Sequence, residues 1–146
     1  MRALIVGVAV ALTVFPTRAP AQAGPSPDLA RQVFVAESSF AATMANRDLK
    51  GFTEFLAPET IWFGRTPLRG KDAVLAVWRR FFEGPTAPFS WRPETVEVLP
   101  SGNLALTSGP VFDSDGKLTN TFTTIWRLEP DGKWRVVFDK GCPIEK

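Results

Sequence analysis

The sequence contains no histidine and no tyrosine. Aromatic bulk is present without imidazole or phenol, so the commonest acid–base and metal-binding side chains are missing together. A Cys–His nucleophile is excluded, and zinc has no ligand set. The single cysteine, Cys142, rules out an intramolecular disulfide. It reads as a buried inert thiol or, alternatively, as one half of an intermolecular disulfide. The fold must therefore rest on its apolar core.

Long apolar runs are scarce too. The longest, Ala3 to Phe15, is about 13 residues, short of the roughly 20 needed to span a bilayer. Met1-Arg2 precedes it, Pro16 to Pro20 breaks it, and Ala21-Gln22-Ala23 forms a small-x-small cleavage site. Residues 1–23 read as a secretory signal peptide, with an uncleaved anchor as the alternative. No cysteine at the cleavage point offers a lipid anchor. The protein is expected to be exported, to a bacterial periplasm or beyond, with no stable membrane span after cleavage.

An excess of one charge is also lacking. The full chain has 17 Lys+Arg against 15 Asp+Glu, but Arg2 and Arg18 leave with the signal and no acidic residue does. The remaining chain is formally neutral. The pI of 9.0 belongs to the precursor and carries no implication of nucleic-acid binding. No basic stripe is present, although Lys71 and Arg79-Arg80 make a small patch.

What is present is aromatic and β-branched. Thr119 to Lys140 reads TNTFTTIWRLEPDGKWRVVFDK. Two strand-like runs flank Pro130-Asp131-Gly132, and Asp-Gly between such runs is a strong hairpin signal. Upstream, Gly24 to Pro27 reads as a leader, Asp28 as an N-cap, and Leu29 to Ala45 as a helix with stripe Leu29, Val33, Ala36, Phe40, Met44. A short second helix, Leu49 to Ala57, is stopped by Pro58. Thr60 to Phe63 is a strand and Gly64 to Gly70 a loop. Its spacing, Pro67 and Asp72 rule it out as a phosphate loop. Lys71 to Glu83 forms a third helix. Four strands follow: Phe89 to Leu99, interrupted at Pro93, Leu104 to Asp113, and the two hairpin arms. Helices segregated before an antiparallel meander predict an α+β domain over residues 28–143, in the order α-α-β-α-β-β-β-β. Bulges and Gly-Pro breaks let its sheet curl around a pocket.

Ala57-Pro58-Glu59 before Ile61-Trp62-Phe63, Leu68-Arg69-Gly70-Lys71, Trp126-Arg127 before Asp131-Gly132-Lys133-Trp134, and Val136-Val137-Phe138-Asp139 are similar to motifs of a known group. The chain resembles the NTF2-like superfamily, within it the SnoaL-like/DUF4440 proteins, from about Val33 to Pro143. The resemblance implies a cone with a pocket between sheet and helices, dimerised through the sheet's outer face. It implies no particular reaction. The base position of ketosteroid isomerase relatives falls at Phe63. Their phenolic donor has no counterpart in a chain without tyrosine, and histidine-based dehydratase or cyclase sites have none either.

The candidate chemistry lies in carboxylates. Glu37 sits on or beside the first helix's buried stripe, where it needs a partner or a wet cavity, or an arginine at the stripe's edge. Asp139 completes the best pair; Glu54, Glu97 and Asp113 are further candidates. Strict alternation puts Asp139 with Arg135 and Val137, opposite Trp134, Val136 and Phe138. With the tryptophan side facing the cavity, as expected, Asp139 points outward toward Arg127 or Lys140. Trp62, Trp78, Phe82, Trp91, Phe122 and Trp126 are candidates to line an apolar cavity, with at least half of them expected in the core. Arg79 could hold an anionic group. No cofactor and no metal are implied. The leading reading is a homodimeric domain that binds a small apolar or amphipathic molecule. An isomerase- or dehydratase-type enzyme and a pure interaction domain are the alternatives. A carboxylate on an apolar cavity wall favours the enzyme; a cavity filled by tryptophans defeats both it and binding.

Overall fold

The computed structural model describes residues 27–144. The expected signal peptide and residues 24–26 lie outside that range. Helix α1, Pro27–Ala45, opens with Asp28 accepting from Arg31 and Gln32. Its buried positions are Val33, Glu37, Phe40, Thr43 and Met44. Helix α2, Leu49–Glu54, is capped by Asp48, whose Oδ1 accepts the Gly51 N–H at 2.8 Å. Between them Arg47 adopts a positive φ of 60° and donates to the carbonyls of Met44, Phe81 and Gly84, tying this turn to the far end of the third helix.

The second helix is shorter than expected because the chain turns extended at Leu56. Strand β1, Leu56–Phe63, contains Pro58 instead of following it. The ladder to β7 is irregular between Leu56 and Ile61, so the missing proline N–H costs no pairing there. Leu68–Arg69, read as loop, forms a two-residue strand β2 against β1. The third helix is α3, Lys71–Trp78, continued by a 3-10 turn over Arg79–Phe82. Strands β3, Phe89–Trp91, and β4, Thr95–Val98, lie on either side of Pro93. Strands β5, Leu104–Asp113, β6, Leu118–Leu128, and β7, Trp134–Pro143, complete the chain.

The strands form one sheet in the order β2-β1-β7-β6-β5-β3, with β4 also on β5. All pairs are antiparallel except β1 with β7. The β6–β7 hairpin is therefore central, and Gly132 supplies its turn with φ 76°. Opposite it, Gly109 on β5 passes under the β3–β4 connection. A Cβ there would lie 2.1 Å from the Arg92 carbonyl, so only glycine permits the crossing.

The register of the central hairpin contains one bulge. Ile125 pairs with Phe138, but the next residue, Trp126, pairs with Val136. Val137 is the extra residue, and it reverses the alternation of β7. Before it, Trp134 and Val136 are buried; after it, Phe138 turns out to 42% exposure. Asp139 and Gly141 thus fall on the inner face, beside Thr124 and Phe122. The helices cover that face. Phe40 stacks on Phe52 at 4.9 Å, and Trp62 meets Trp78 edge-on at 4.4 Å.

Candidate functional site

The helices and the curled sheet do not close completely. A cavity of about 330 Å³ remains, walled by Phe40, Trp62, Trp78, Phe89, Trp91 and Phe122. Pro88, Val111 and Gly141 complete its apolar lining. Its polar lining is Asp139, Asp113, Thr119 and Asn120.

Asp139 is positioned by a row that crosses four strands. Thr107 pairs with Thr124, Thr124 with Asp139, and Asp139 with Trp62. The Thr124 hydroxyl donates to Asp139 Oδ2 at 2.9 Å. No other side-chain bond to this carboxylate occurs among the described residues, which leaves Oδ1 to the cavity. Burial pushes Asp139 up to about 7; the Thr124 bond opposes this and the nearby charge of Glu37 adds to it. The expectation that Asp139 points outward is therefore corrected. The Val137 bulge lets both the tryptophan side of the hairpin and Asp139 face inward. The ion pairs considered for it do not form. Arg127 binds Glu59 at 2.5 Å and Glu129 at 2.6 Å. Lys140 lies on the other face, in register with Phe63 and Thr123.

Glu37 is fully buried and does not reach the cavity surface. Its carboxylate accepts from Trp91 Nε1 at 2.7 Å, Thr107 Oγ1 at 2.5 Å and Trp126 Nε1 at 3.0 Å. No arginine is involved. Burial pushes its pKa up, while the bonds from Thr107, Trp91 and Trp126 pull it back. It holds the cavity wall from behind through its bond with Trp91.

Of the six aromatic candidates, Trp62, Trp78, Trp91 and Phe122 line the cavity. Phe82 and Trp126 do not. Phe82 packs on Phe52 at 5.0 Å, and the Trp126 indole N–H donates to both Glu37 and Thr107. Phe40 and Phe89 were missed as lining residues. Phe89 shares a face with Trp91 by period-two spacing, so its signal was present; Phe40 was assigned wholly to the core. Among the other acidic candidates, Asp113 reaches the cavity, while its Oδ1 also accepts from the turn N–H groups of Asp115 and Lys117. Glu54, Glu97 and Arg79 are exposed and stand off the cavity. Cys142 is free and half-buried. Among the described residues no group of three His, Cys, Asp or Glu could hold a metal, and no helix is long and apolar enough to cross a membrane.

This geometry has known relatives. The SnoaL-like domain family matches residues 37–137. The chain belongs to the SnoaL-like family. No curated protein matches it. Among solved structures, an NTF2-like protein of unknown function from Pseudomonas putida KT2440 is 20% identical with a TM-score of 0.69, covering 84% of this chain and 92% of its own. A ketosteroid isomerase-like protein from Erwinia carotovora atroseptica is 15% identical with a TM-score of 0.64, covering 83% and 100%. An NTF2-like superfamily protein from Salmonella enterica is 15% identical with a TM-score of 0.61, covering 82% and 93%. At these identities the likeness is one of fold. In this SnoaL-like chain Phe63 lies exposed on the outer face, stacked on Phe138 at 6.1 Å. Phe63, the expected base position, thus stands outside the cavity, whose acidic lining residues are Asp113 of β5 and Asp139 of β7.

Proposed function

We propose that the protein binds a small, mainly apolar molecule in the aromatic cavity and that Asp139 takes a proton from it. One observation carries this reading: a carboxylate with one hydrogen-bond donor and a free oxygen stands on an apolar wall. A group poised near neutrality is matched to general-base work. Asp139 removes a proton from an activated C–H, and the electron pair stays on the substrate. Returning the proton to another carbon isomerises the molecule; expelling a neighbouring group eliminates it. Glu37 has no access to that proton. It holds Trp91, and so the wall, in place.

The test uses 5-nitrobenzisoxazole, a flat bicycle whose single acidic C–H is removed by a carboxylate as its N–O bond breaks, releasing a coloured phenolate. The wild-type protein should accelerate this reaction, with a rate that rises through about pH 7. Asp139→Asn should lower the rate at least about 100-fold. A variant as fast as wild type would remove Asp139 from the mechanism. Saturable binding without turnover would reduce the function to binding alone.

The reading extends to assembly and location. On the outer face Ile61, Phe138, Ile125 and Leu106 form one cross-strand apolar row, and Phe63 lies on Phe138. Phe63 and Phe138 are 44% and 42% exposed. This row supports a homodimer through the sheet. Phe138→Lys should convert a dimer into a monomer in light scattering; an unchanged mass would exclude this face. Export rests on residues 1–23. Secreted or periplasmic protein should begin at Gly24 on N-terminal sequencing, whereas an intact Met1 would refute cleavage.

A further inference from the structure

The cavity has an electrical character as well as an apolar one. Six aromatic rings form its walls, Asp113 and Asp139 are its acidic lining residues, and no lysine or arginine lines it. Three arginines of nearby elements are engaged elsewhere, and Lys117, in the turn between β5 and β6, is not among the lining residues. Arg92 lies over Phe112 at 4.8 Å and binds Glu94. Arg80 lies over Phe81 at 4.7 Å, and Arg47 is spent on backbone carbonyls and Phe82. Lys140, next to Asp139 in sequence, is on the opposite face of the sheet.

From this we infer that the ligand carries a cationic nitrogen, an amine or quaternary ammonium, on a mainly apolar body. Ring faces attract such a cation strongly where water is excluded, and carboxylates supply its counter-charge. An anionic ligand would meet two acidic side chains and no cation. The inference rests on the cavity being a binding site, as proposed above.

It also deepens the role of Asp139. The charged groups that face Asp139 are Glu37 of α1, behind Thr124, and Asp113 at the end of β5; β1 and β6 contribute the uncharged Trp62 and Thr124. Burial, with the charge of Glu37 added to it, keeps a proton on Asp139. A bound cation reverses that balance, so Asp139 releases its proton to solvent and becomes the carboxylate that the reaction needs. The same cation makes an adjacent C–H more acidic. The ligand's charge thus arms the base that acts on it.

The experiment compares benzyltrimethylammonium, its neutral carbon isostere neopentylbenzene, and phenylacetate. Binding is read from wall tryptophan fluorescence. Proton release is read by calorimetry at pH 7 in two buffers of different ionisation enthalpy. The cation should bind at least about tenfold more tightly than the isostere. It should release roughly half a proton, as follows from a group that titrates at about 7. Asp139→Asn, which keeps an acceptor for Thr124, should lose both the preference and the proton. Equal or tighter binding of the isostere or of phenylacetate would overturn the cationic ligand and leave the cavity-binding reading standing. Binding of the cation with no proton released would overturn the arming of Asp139. If no probe binds, the binding reading falls as well.

Discussion

Asp139→Asn stabilises the protein above pH 7 and leaves it nearly unchanged below pH 4. The folded protein holds a proton on Asp139 up to about 7, whereas the unfolded chain releases it near 3.8. Between those values the folded state carries one proton more than the unfolded state. Stability therefore falls as pH rises across this window, by up to about 1.4 kcal/mol per pH unit. The cost is fully present above 7 and absent below 3.8. The full window corresponds to about 4 kcal/mol, an upper figure because Asp139 is only half-buried and lines the cavity. Asparagine has no such proton, so this part of the pH dependence should be missing from the variant. Urea unfolding of both proteins at pH 4, 6 and 8 measures the difference. Parallel curves would mean that the carboxylate is solvated and the cavity wall is not dry. The same change that stabilises the fold should abolish proton transfer, which is the behaviour of a group retained for chemistry.

Glu37→Leu should destabilise the protein by about 3 kcal/mol or more. The substitution keeps side-chain bulk on α1 but removes the acceptor for Trp91 Nε1 and Thr107 Oγ1, and leaves Trp126 Nε1 with Thr107 Oγ1 alone, at 2.9 Å. Each stranded donor costs about 1–3 kcal/mol, and relief of the buried carboxylate offsets only part of the total. Glu37→Gln keeps an acceptor for Trp91 and an amide that can donate to Thr107, so its cost should be about 1 kcal/mol. The order of the two variants matters more than either value. A leucine variant as stable as wild type would mean that the tryptophans find other partners and that Glu37 does not organise the wall. Trp91 fluorescence provides a second readout, because its indole N–H loses a charged or strongly polar acceptor in the leucine variant.

Much of this architecture was legible in the residues. Asp131-Gly132 located the central hairpin, Pro93 located the break between β3 and β4, and the three-four spacing of Val33, Phe40 and Met44 located the buried face of α1. The same spacing flagged Glu37. Its partners were not legible, because Trp91, Thr107 and Trp126 reach it only through strand pairing 54 to 89 residues away. The direction of Asp139 was misread for a specific reason. Period two holds only while the register is unbroken, and one extra residue at Val137 turns the rest of the strand over. The consecutive apolar residues Val136-Val137-Phe138 were the available sign, since a half-buried strand does not place three in a row without a break. Phe82 and Trp126 stand among six cavity candidates, at least half expected in the core, because composition cannot separate a ring that lines a void from one that fills the core. Pro58 was read as a helix stop, although an irregular ladder can hold a proline in a strand.

The central claim is that Asp139 is a carboxyl group held near neutrality on the wall of an aromatic cavity. NMR titration of protein labelled with carbon-13 at aspartate side-chain carboxyls, with the Asp139 signal assigned by its loss in Asp139→Asn, tests this directly. The account predicts a midpoint at about 7. A midpoint near 4, the value of an aspartate in water, would contradict it.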